Sequence, residues 1–389
     1  MRGDEGLGLL VPADSFDPGA GRYDAEVSDV LPQPTEATDA TASTPPTTQP
    51  TTQPAPRPTH GRVSAWVEVL RTTNPPKGRP LDPVSRWLVL TRAAVLPMTL
   101  VAGAVATLLA VRRPGFNTGL LLLAFAGLLL AHCANNLMND LFDAEVGADT
   151  ASYPRALYAP HPVLSGMVSR GRLARAALFV NVLDLAILVV LAVYRGWPVV
   201  GFALGGFLLS VAYTAPPLRL KKRGLGEPDV FLVWGPLMVG GTYYAALGHL
   251  PWEIIVASVP YGLLCTAVLM GKHIDKAPFD EPLGIRTLPV VLGERRARAA
   301  TIGMMVAFYV TVVVCVAVRA LPWPALLSFA ALPKLVQAWK YFAQPKPDAP
   351  PEGFPVWPLW FAAIAFVHTR RAGSLLVLGL IIAAAANIR

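Results

Sequence analysis

Residues 115–143 run GFNTGLLLLAFAGLLLAHCANNLMNDLFD: a long apolar stretch that ends abruptly in Asn135, Asn136, Asn139, Asp140 and Asp143. A helix needs about 20 mainly apolar residues to cross a bilayer, and this stretch has that length and character. Carboxamides and carboxylates at the end of such a run are costly unless they have a task. On a helix, Asn136, Asp140 and Asp143 share one face at offsets of four and three, and Asn139 is the i−4 neighbour of Asp143. Two carboxylates one turn apart, flanked by carboxamides, suit a hard divalent cation that keeps several waters, as Mg²⁺ does while it awaits a phosphate.

The same apolar texture extends outward. Of 389 residues, 53% are hydrophobic and 15% are charged, against about 25% charged in an ordinary soluble domain. Nine stretches read as spans: 86–111, 115–138, 173–195, 198–213, 229–249, 252–271, 299–320, 322–342 and 372–388. Segment 355–368, rich in Pro and Trp, either starts the ninth or lies at the interface. Basic residues alternate between the connections. Those after the second, fourth and sixth candidate spans are rich in Lys and Arg, whereas those after the third, fifth and seventh carry at most one. Lys/Arg-rich loops stay cytoplasmic, so the alternation predicts a cytoplasmic N-terminus. The expected fold is therefore an all-α integral membrane bundle of nine helices, with a central cavity opening near the cytoplasmic face.

Residues 1–60 form a separate domain by composition. They are rich in Pro and Thr, repeat TTQP at 47–54, and carry nine acidic against three basic residues, a net of −6. Such a segment lacks the apolar surface to offset its ordering entropy and is expected to be disordered. Residues 61–84 read as an interfacial linker in which Val63, Trp66, Val67 and Leu70 make one apolar helix face. Residues 85–389 form the transmembrane domain. Cys133, Cys265 and Cys315 each sit in an apolar run, fit no zinc spacing, and read as buried small hydrophobes. The cations are scattered between apolar runs rather than gathered in a stripe, which argues against a nucleic-acid partner.

Two further segments share the face of the Asn/Asp run. GKHIDKAPFDEPLGIRTL at 271–288 again places carboxylates after an apolar run, Asp275 and Asp280, with Lys272, Lys276 and Arg286 close by. Asp275 and Asp280 are five apart, so the chain must bend for both to face one ion. Between these segments lies a basic connection containing Tyr213, Arg219, Lys221, Lys222, Gly224, Gly226, Glu227 and Asp229. Two acidic helix ends and a basic loop on one membrane face describe a site for a diphosphate. In a bilayer the other end of that diphosphate is lipid, which makes it an isoprenoid diphosphate.

These segments resemble the UbiA superfamily of intramembrane prenyltransferases, and most of all its 1,4-dihydroxy-2-naphthoate (menaquinone) branch, over about residues 85–389. Asn139-Asp140-x-x-Asp143 matches the first aspartate motif of that family, and Gly147-x-Asp149-Thr150 follows the menaquinone form. Tyr213 through Glu227 resembles the loop after span four. Gly240-Gly241-Thr242-Tyr243-Tyr244 resembles span five, and Asp280-x-x-x-Gly284-x-Arg286-Thr287 the tail of the second motif. Two departures stand out. Position 276 is Lys where the second motif has Asp, with Asp275 one residue early. Position 217 is Pro where the family has the Lys of Tyr-x-x-x-Lys.

The resemblance implies Mg²⁺ on Asp140, Asp143, Asp275 and Asp280, and a diphosphate gripped by Asn136, Arg219, Lys221, Lys222, Lys272 and Arg286. Asn139 supports the metal site. Asp149 or Glu145 orients an aromatic acceptor or takes its proton, and Tyr213, Tyr243 and Tyr244 offer π-faces to an allylic cation. It further implies a bacterial plasma membrane. Three other readings remain: a terpene cyclase using the same site without an acceptor, a transporter, and an idle scaffold. Against the transporter, spans one to four and five to eight show no internal repeat.

Overall fold

The computed structural model describes residues 61–72, 74, 81–145, 161–352, 354 and 356–388, with the side chains of Thr72 and of residues 143–145 excepted. The acidic tail 1–60, and Gly147, Asp149 and Thr150, lie outside the described residues. All regular structure among the described residues is helical. The N-terminal helices are α1 (Arg62–Thr72), α2 (Pro83–Leu90), α3 (Leu96–Ala110, entered through a 3-10 turn at Ala93–Val95) and α4 (Thr118–Glu145). They are followed by α5 (Arg170–Arg195), α6 (Trp197–Thr214), α7 (Gly226–Leu232), α8 (Gly241–Leu247) and α9 (Trp252–Asp280). The chain closes with α10 (Leu288–Leu292), α11 (Glu294–Ala317), α12 (Leu332–Phe342) and α13 (Trp360–Ala385). A π-helical stretch, Val233–Gly240, joins α7 to α8, and Pro236 inside it removes one amide from the helical ladder.

Eight of these helical stretches are long and apolar enough to cross a membrane: 93–110, 118–142, 170–195, 197–214, 226–247, 252–283, 294–317 and 360–385. The expected count of nine differs at 322–342. Trp323–Ala331 winds as a 3-10 helix before α12 begins, with Pro324 and Pro333 in the first turn of the two pieces. At about 2.0 Å per 3-10 residue and 1.5 Å per α residue the two pieces still reach roughly 34 Å, comparable with a bilayer core. The first span is also shorter than its apolar run suggests. Arg92 adopts a left-handed conformation (φ 51°), which splits α2 from the span that starts at Ala93. The last span begins at Trp360, ahead of the expected 372.

The main core packs α3, the π segment, α9, α11, the 3-10 stretch, α12 and α13 around Tyr243, Tyr261, Phe308 and Phe361, all nearly inaccessible. Small residues allow the closest approaches. A Cβ on Gly379 would stand 2.1 Å from the Pro324 carbonyl oxygen, so α13 lies directly on the 3-10 backbone. By contrast α5 and α6 hold a single layer, and Leu178, Phe179, Leu185 and Val193 of α5 face outward. A helix with apolar residues on its outer side is at home in lipid rather than water. Helix α1 docks through Ala65 and Val69, which are buried, while Val63 and Val67 of the expected apolar face stay exposed.

Candidate active site

The bundle encloses a cavity of about 1010 Å³. Its wall is apolar along most of its length, with Leu188, Leu191, Phe202, Phe207, Trp234 and Phe366 among the lining side chains. Arg92, Asn136, Asn139, Tyr213, Asp229 and Lys272 also line it. These come from the break before α3, the C-terminal parts of α4, α6 and α9, and the start of α7. The topology therefore gathers them at one end of the bundle. A hydrogen bond from the Arg286 amide to the Lys222 carbonyl, 3.1 Å, ties together the two loops that flank this end.

Asp140 is fully buried, ion-pairs with Arg92 and, unlike Asn136 and Asn139, is not itself among the cavity-lining residues. Its backbone carbonyl accepts from the ring of His161, Nε2 to O 3.1 Å. This bond places His161 beside the end of α4. Asn136 Nδ2 donates to the Thr91 carbonyl at 2.9 Å, so the break between α2 and α3 supplies the acceptor that orients it. Asn139 is buried, and its carboxamide oxygen has no hydrogen-bond partner among the described residues. Asp229, also buried, is in the same condition at Oδ1. Unsatisfied buried oxygens facing a cavity are where a cation or donor is missing from the count.

Oxygen donors of this kind fit a hard cation such as Mg²⁺. Asp140, Asn136 and Asn139 of α4 are the described side chains that would hold it. Asp143 follows on the same helix, with its side chain outside the described residues. Among the described residues, no three acidic, His or Cys side chains group closely enough to form a metal site by themselves.

The other expected site residues are placed differently. Asp275 accepts from the backbone amides of Phe361 (3.1 Å) and Ala362 (2.8 Å), in the first turn of α13, and does not line the cavity. Asp280 is buried and also away from the lining. Helix α9 runs unbroken from Trp252 through Asp280, so the bend needed to bring both carboxylates to one ion is absent. Five residues at about 100° each turn them roughly 140° apart. Arg219, Lys221, Lys222 and Arg286 sit in the flanking loops rather than in the wall. The Lys221 ammonium lies 5.8 Å from the Tyr213 ring centre, which links that loop to a residue that does line the cavity.

Tyr243 and Tyr244 are not in the wall either. Tyr243 stacks edge-on to His249, and the Tyr244 hydroxyl donates to the Arg195 carbonyl at 3.0 Å. Both serve packing at the far end of the bundle. The aromatic faces actually presented include Tyr213 and Trp234. Trp234 sits on the π segment, edge-on to His132, whose Nδ1 is 2.7 Å from the Thr99 hydroxyl. Asn181 and Asp184 of α5 also line the cavity.

Sequence reasoning missed Arg71, Arg92 and the buried pair of Glu227 with His273 (2.7 Å). For Arg92 a signal existed: a charged residue inside an apolar run is expensive and marks function. Gly226 lets the loop close over this pair. A Cβ there would stand 3.3 Å from the Tyr213 ring and 3.5 Å from the His273 ring.

The UbiA prenyltransferase family model matches residues 95–362. Among curated proteins, the 1,4-dihydroxy-2-naphthoate octaprenyltransferase of Escherichia coli is 32% identical over 219 residues, which is 54% of this chain and 70% of that protein. The 2-carboxy-1,4-naphthoquinone phytyltransferase of Synechocystis is 27% identical over 212 residues, 54% of this chain and 66% of that protein. Among solved structures, a UbiA homologue from Archaeoglobus fulgidus bound to GPP and Mg²⁺ has a TM-score of 0.51 at 14% identity, covering 75% of this chain and 99% of its own. An apo homologue from Aeropyrum pernix reaches 0.54 at 18% identity, covering 72% and 96%. At these identities the structural likeness speaks for the fold.

Proposed function

The chain belongs to the UbiA prenyltransferase family, and from that premise we propose that it transfers a prenyl group from an isoprenoid diphosphate to a small aromatic acceptor inside the membrane. The observation that carries this reading is the two-part cavity. One end offers Asn136, Asn139, Arg92, Asp229 and Lys272, and the remainder is apolar and long. A diphosphate with a hydrocarbon tail matches both halves. The naphthoate-directed relatives support an acceptor of the naphthoate or phenol type.

In this reading Asn136 and Asn139, with Asp140 and Asp143 on the same helix, would hold Mg²⁺, which would supply a concentrated positive charge to stabilise the departing diphosphate. Arg92 and Lys272 neutralise the same group from the wall, with Arg219, Lys221, Lys222 and Arg286 near the entrance. The allylic C–O bond breaks with its electron pair on the diphosphate. Trp234 and Tyr213 present ring faces to the resulting cation, and the apolar wall keeps water from quenching it. An electron-rich aromatic carbon forms the new C–C bond and sheds its proton. Asp229 and Asp184 are cavity carboxylates outside the metal-holding set and can take that proton; Asp149 and Glu145 are the family-based alternatives. The loop charges support a cytoplasmic N-terminus and an active site near the cytoplasmic face of a bacterial plasma membrane, with 322–342 as the ninth crossing.

The test is direct. Full-length protein in detergent is incubated with Mg²⁺ and geranylgeranyl diphosphate, with and without 1,4-dihydroxy-2-naphthoate, beside Asp140→Ala. A prenylated naphthoate, lost with chelator and in the variant, is the expected result. A cyclic hydrocarbon made without acceptor would replace transfer by cyclisation at the same site. No metal-dependent consumption of any prenyl diphosphate would sink both.

A further inference from the structure

The second acidic segment of this chain is built for a different task from the first. Asp275 takes two amide hydrogen bonds from the first turn of α13, at 3.1 and 2.8 Å. The residue preceding that helix, Leu359, has no capping side chain; the Leu359 and Trp360 amides bond to the Val356 and Pro358 carbonyls, each at 2.9 Å, which leaves the Phe361 and Ala362 amides dependent on a donated acceptor. A carboxylate there also meets the positive end of the helix dipole. Lys346 completes the arrangement. Its ammonium stands 3.8 Å from Asp275 Oδ1, donates to the Pro358 carbonyl, and lies 4.5 Å from the Trp357 ring centre. Asp275 is thereby committed to joining α9, α13 and the connection that precedes α13, and is not itself among the cavity-lining residues.

On the cavity side, α9 offers a cation. Lys272 lines the cavity, one turn before Asp275, and Lys276 follows one turn later where the resemblance leads one to expect an aspartate. Asp280, the remaining carboxylate of the segment, is not in the wall; neither is Asp140 of α4, but α4 does present Asn136 and Asn139 there, the latter with an oxygen that has no hydrogen-bond partner among the described residues. An ammonium at a site that meets a diphosphate supplies a fixed positive charge without a metal's ligand requirements.

We propose that this chain holds divalent metal at the α4 acidic segment alone, and that the Lys272 ammonium supplies, from α9, the positive charge that a second metal would bring to the donor diphosphate. The proposal rests on the prenyl-transfer reading and narrows it. Asp275 becomes a structural cap, and Lys272 a group that touches substrate.

The experiment is Mn²⁺ electron paramagnetic resonance on the full chain in detergent, saturated with geranyl thiodiphosphate as an unreactive donor. One uncoupled Mn²⁺ per chain is expected. Asp275→Asn should keep that single signal while lowering the thermal midpoint. Lys272→Met should also keep it, but weaken binding of the analogue by about tenfold to a hundredfold, the loss expected for one charge-assisted hydrogen bond, and Lys272→Arg should recover most of it. A second equivalent with a coupled Mn²⁺–Mn²⁺ spectrum, or loss of a metal equivalent in folded Asp275→Asn, overturns the one-metal assignment. Unchanged analogue binding in Lys272→Met overturns the role of the lysine. A chain that binds no diphosphate analogue with any metal removes the prenyl-transfer reading itself.

Discussion

Single side chains near the site carry large consequences because they are buried in pairs. Glu227 and His273 meet at 2.7 Å with side chains only 2% and 3% exposed. Removing one partner strands the other away from water. His273→Ala should therefore cost about 3 kcal/mol or more, read as a lower unfolding midpoint in detergent; a shift of under a degree would show the pair to be idle. Asp82 makes a contrasting case at the surface. Its carboxylate accepts from the Ser85 hydroxyl and amide, the Trp66 indole and the Val84 amide, and these bonds, the Ser85 hydroxyl foremost, lower its pKa from 3.8 to about 2. Because the folded value is depressed, the stabilisation is fully present above pH 4 and disappears as pH falls through about 2. A carboxyl resonance of Asp82 titrating near 2 by NMR is expected, and a midpoint close to 3.8 would mean that Asp82 does not cap α2 through Ser85. The Asn/Asp helix end was readable from residue types alone, because its spacing is a property of one helix. What Asp275 does was not, since its partners stand 86 and 87 positions away in the chain.

Elements meet here through glycines and interrupted helices. A Cβ on Gly271 would stand 2.7 Å from the Phe361 carbonyl oxygen and 3.0 Å from the Ala362 nitrogen. Since those atoms are backbone, Gly271→Ala must push the start of α13 away from α9 and stretch the amide bonds to Asp275. A loss of about 1–3 kcal/mol is expected from such overpacking, measured by thermal unfolding. Faster amide hydrogen exchange at Phe361 and Ala362 should accompany it, and unaltered exchange there would contradict the contact. Hydropathy finds where apolar runs lie and so locates most of the spans. It is blind to how the backbone winds within them. The π stretch at Val233–Gly240 and the 3-10 stretch at Trp323–Ala331 follow from prolines and close neighbours, and both look like ordinary apolar helix in the sequence. The sequence motif likewise names Tyr243 and Tyr244 without showing that Gly241, Thr242 and Ala245 are the residues of α8 that line the cavity.

At the scale of the whole molecule, the alternation of loop charge bears on orientation. The three cysteines are free and buried, so cysteines introduced for labelling report with little background. With an N-terminus inside, His249→Cys should react with an impermeant maleimide on intact cells, and Leu283→Cys only after permeabilisation; the opposite pattern would invert the orientation. The single layer formed by α5 and α6 has a further consequence. Its outer face carries Leu178, Phe179 and Val193 toward the surroundings, while Leu188, Leu191, Phe202 and Phe207 of the same two helices line the cavity. On the proposed function, a donor dissolved in the bilayer would be one helix diameter from the cavity. Its supply is set by how many donor molecules there are per lipid, not per litre. Diluting the protein with extra detergent or lipid at fixed total substrate should then slow turnover, and saturation curves measured at different lipid ratios should superimpose only when plotted against mole fraction.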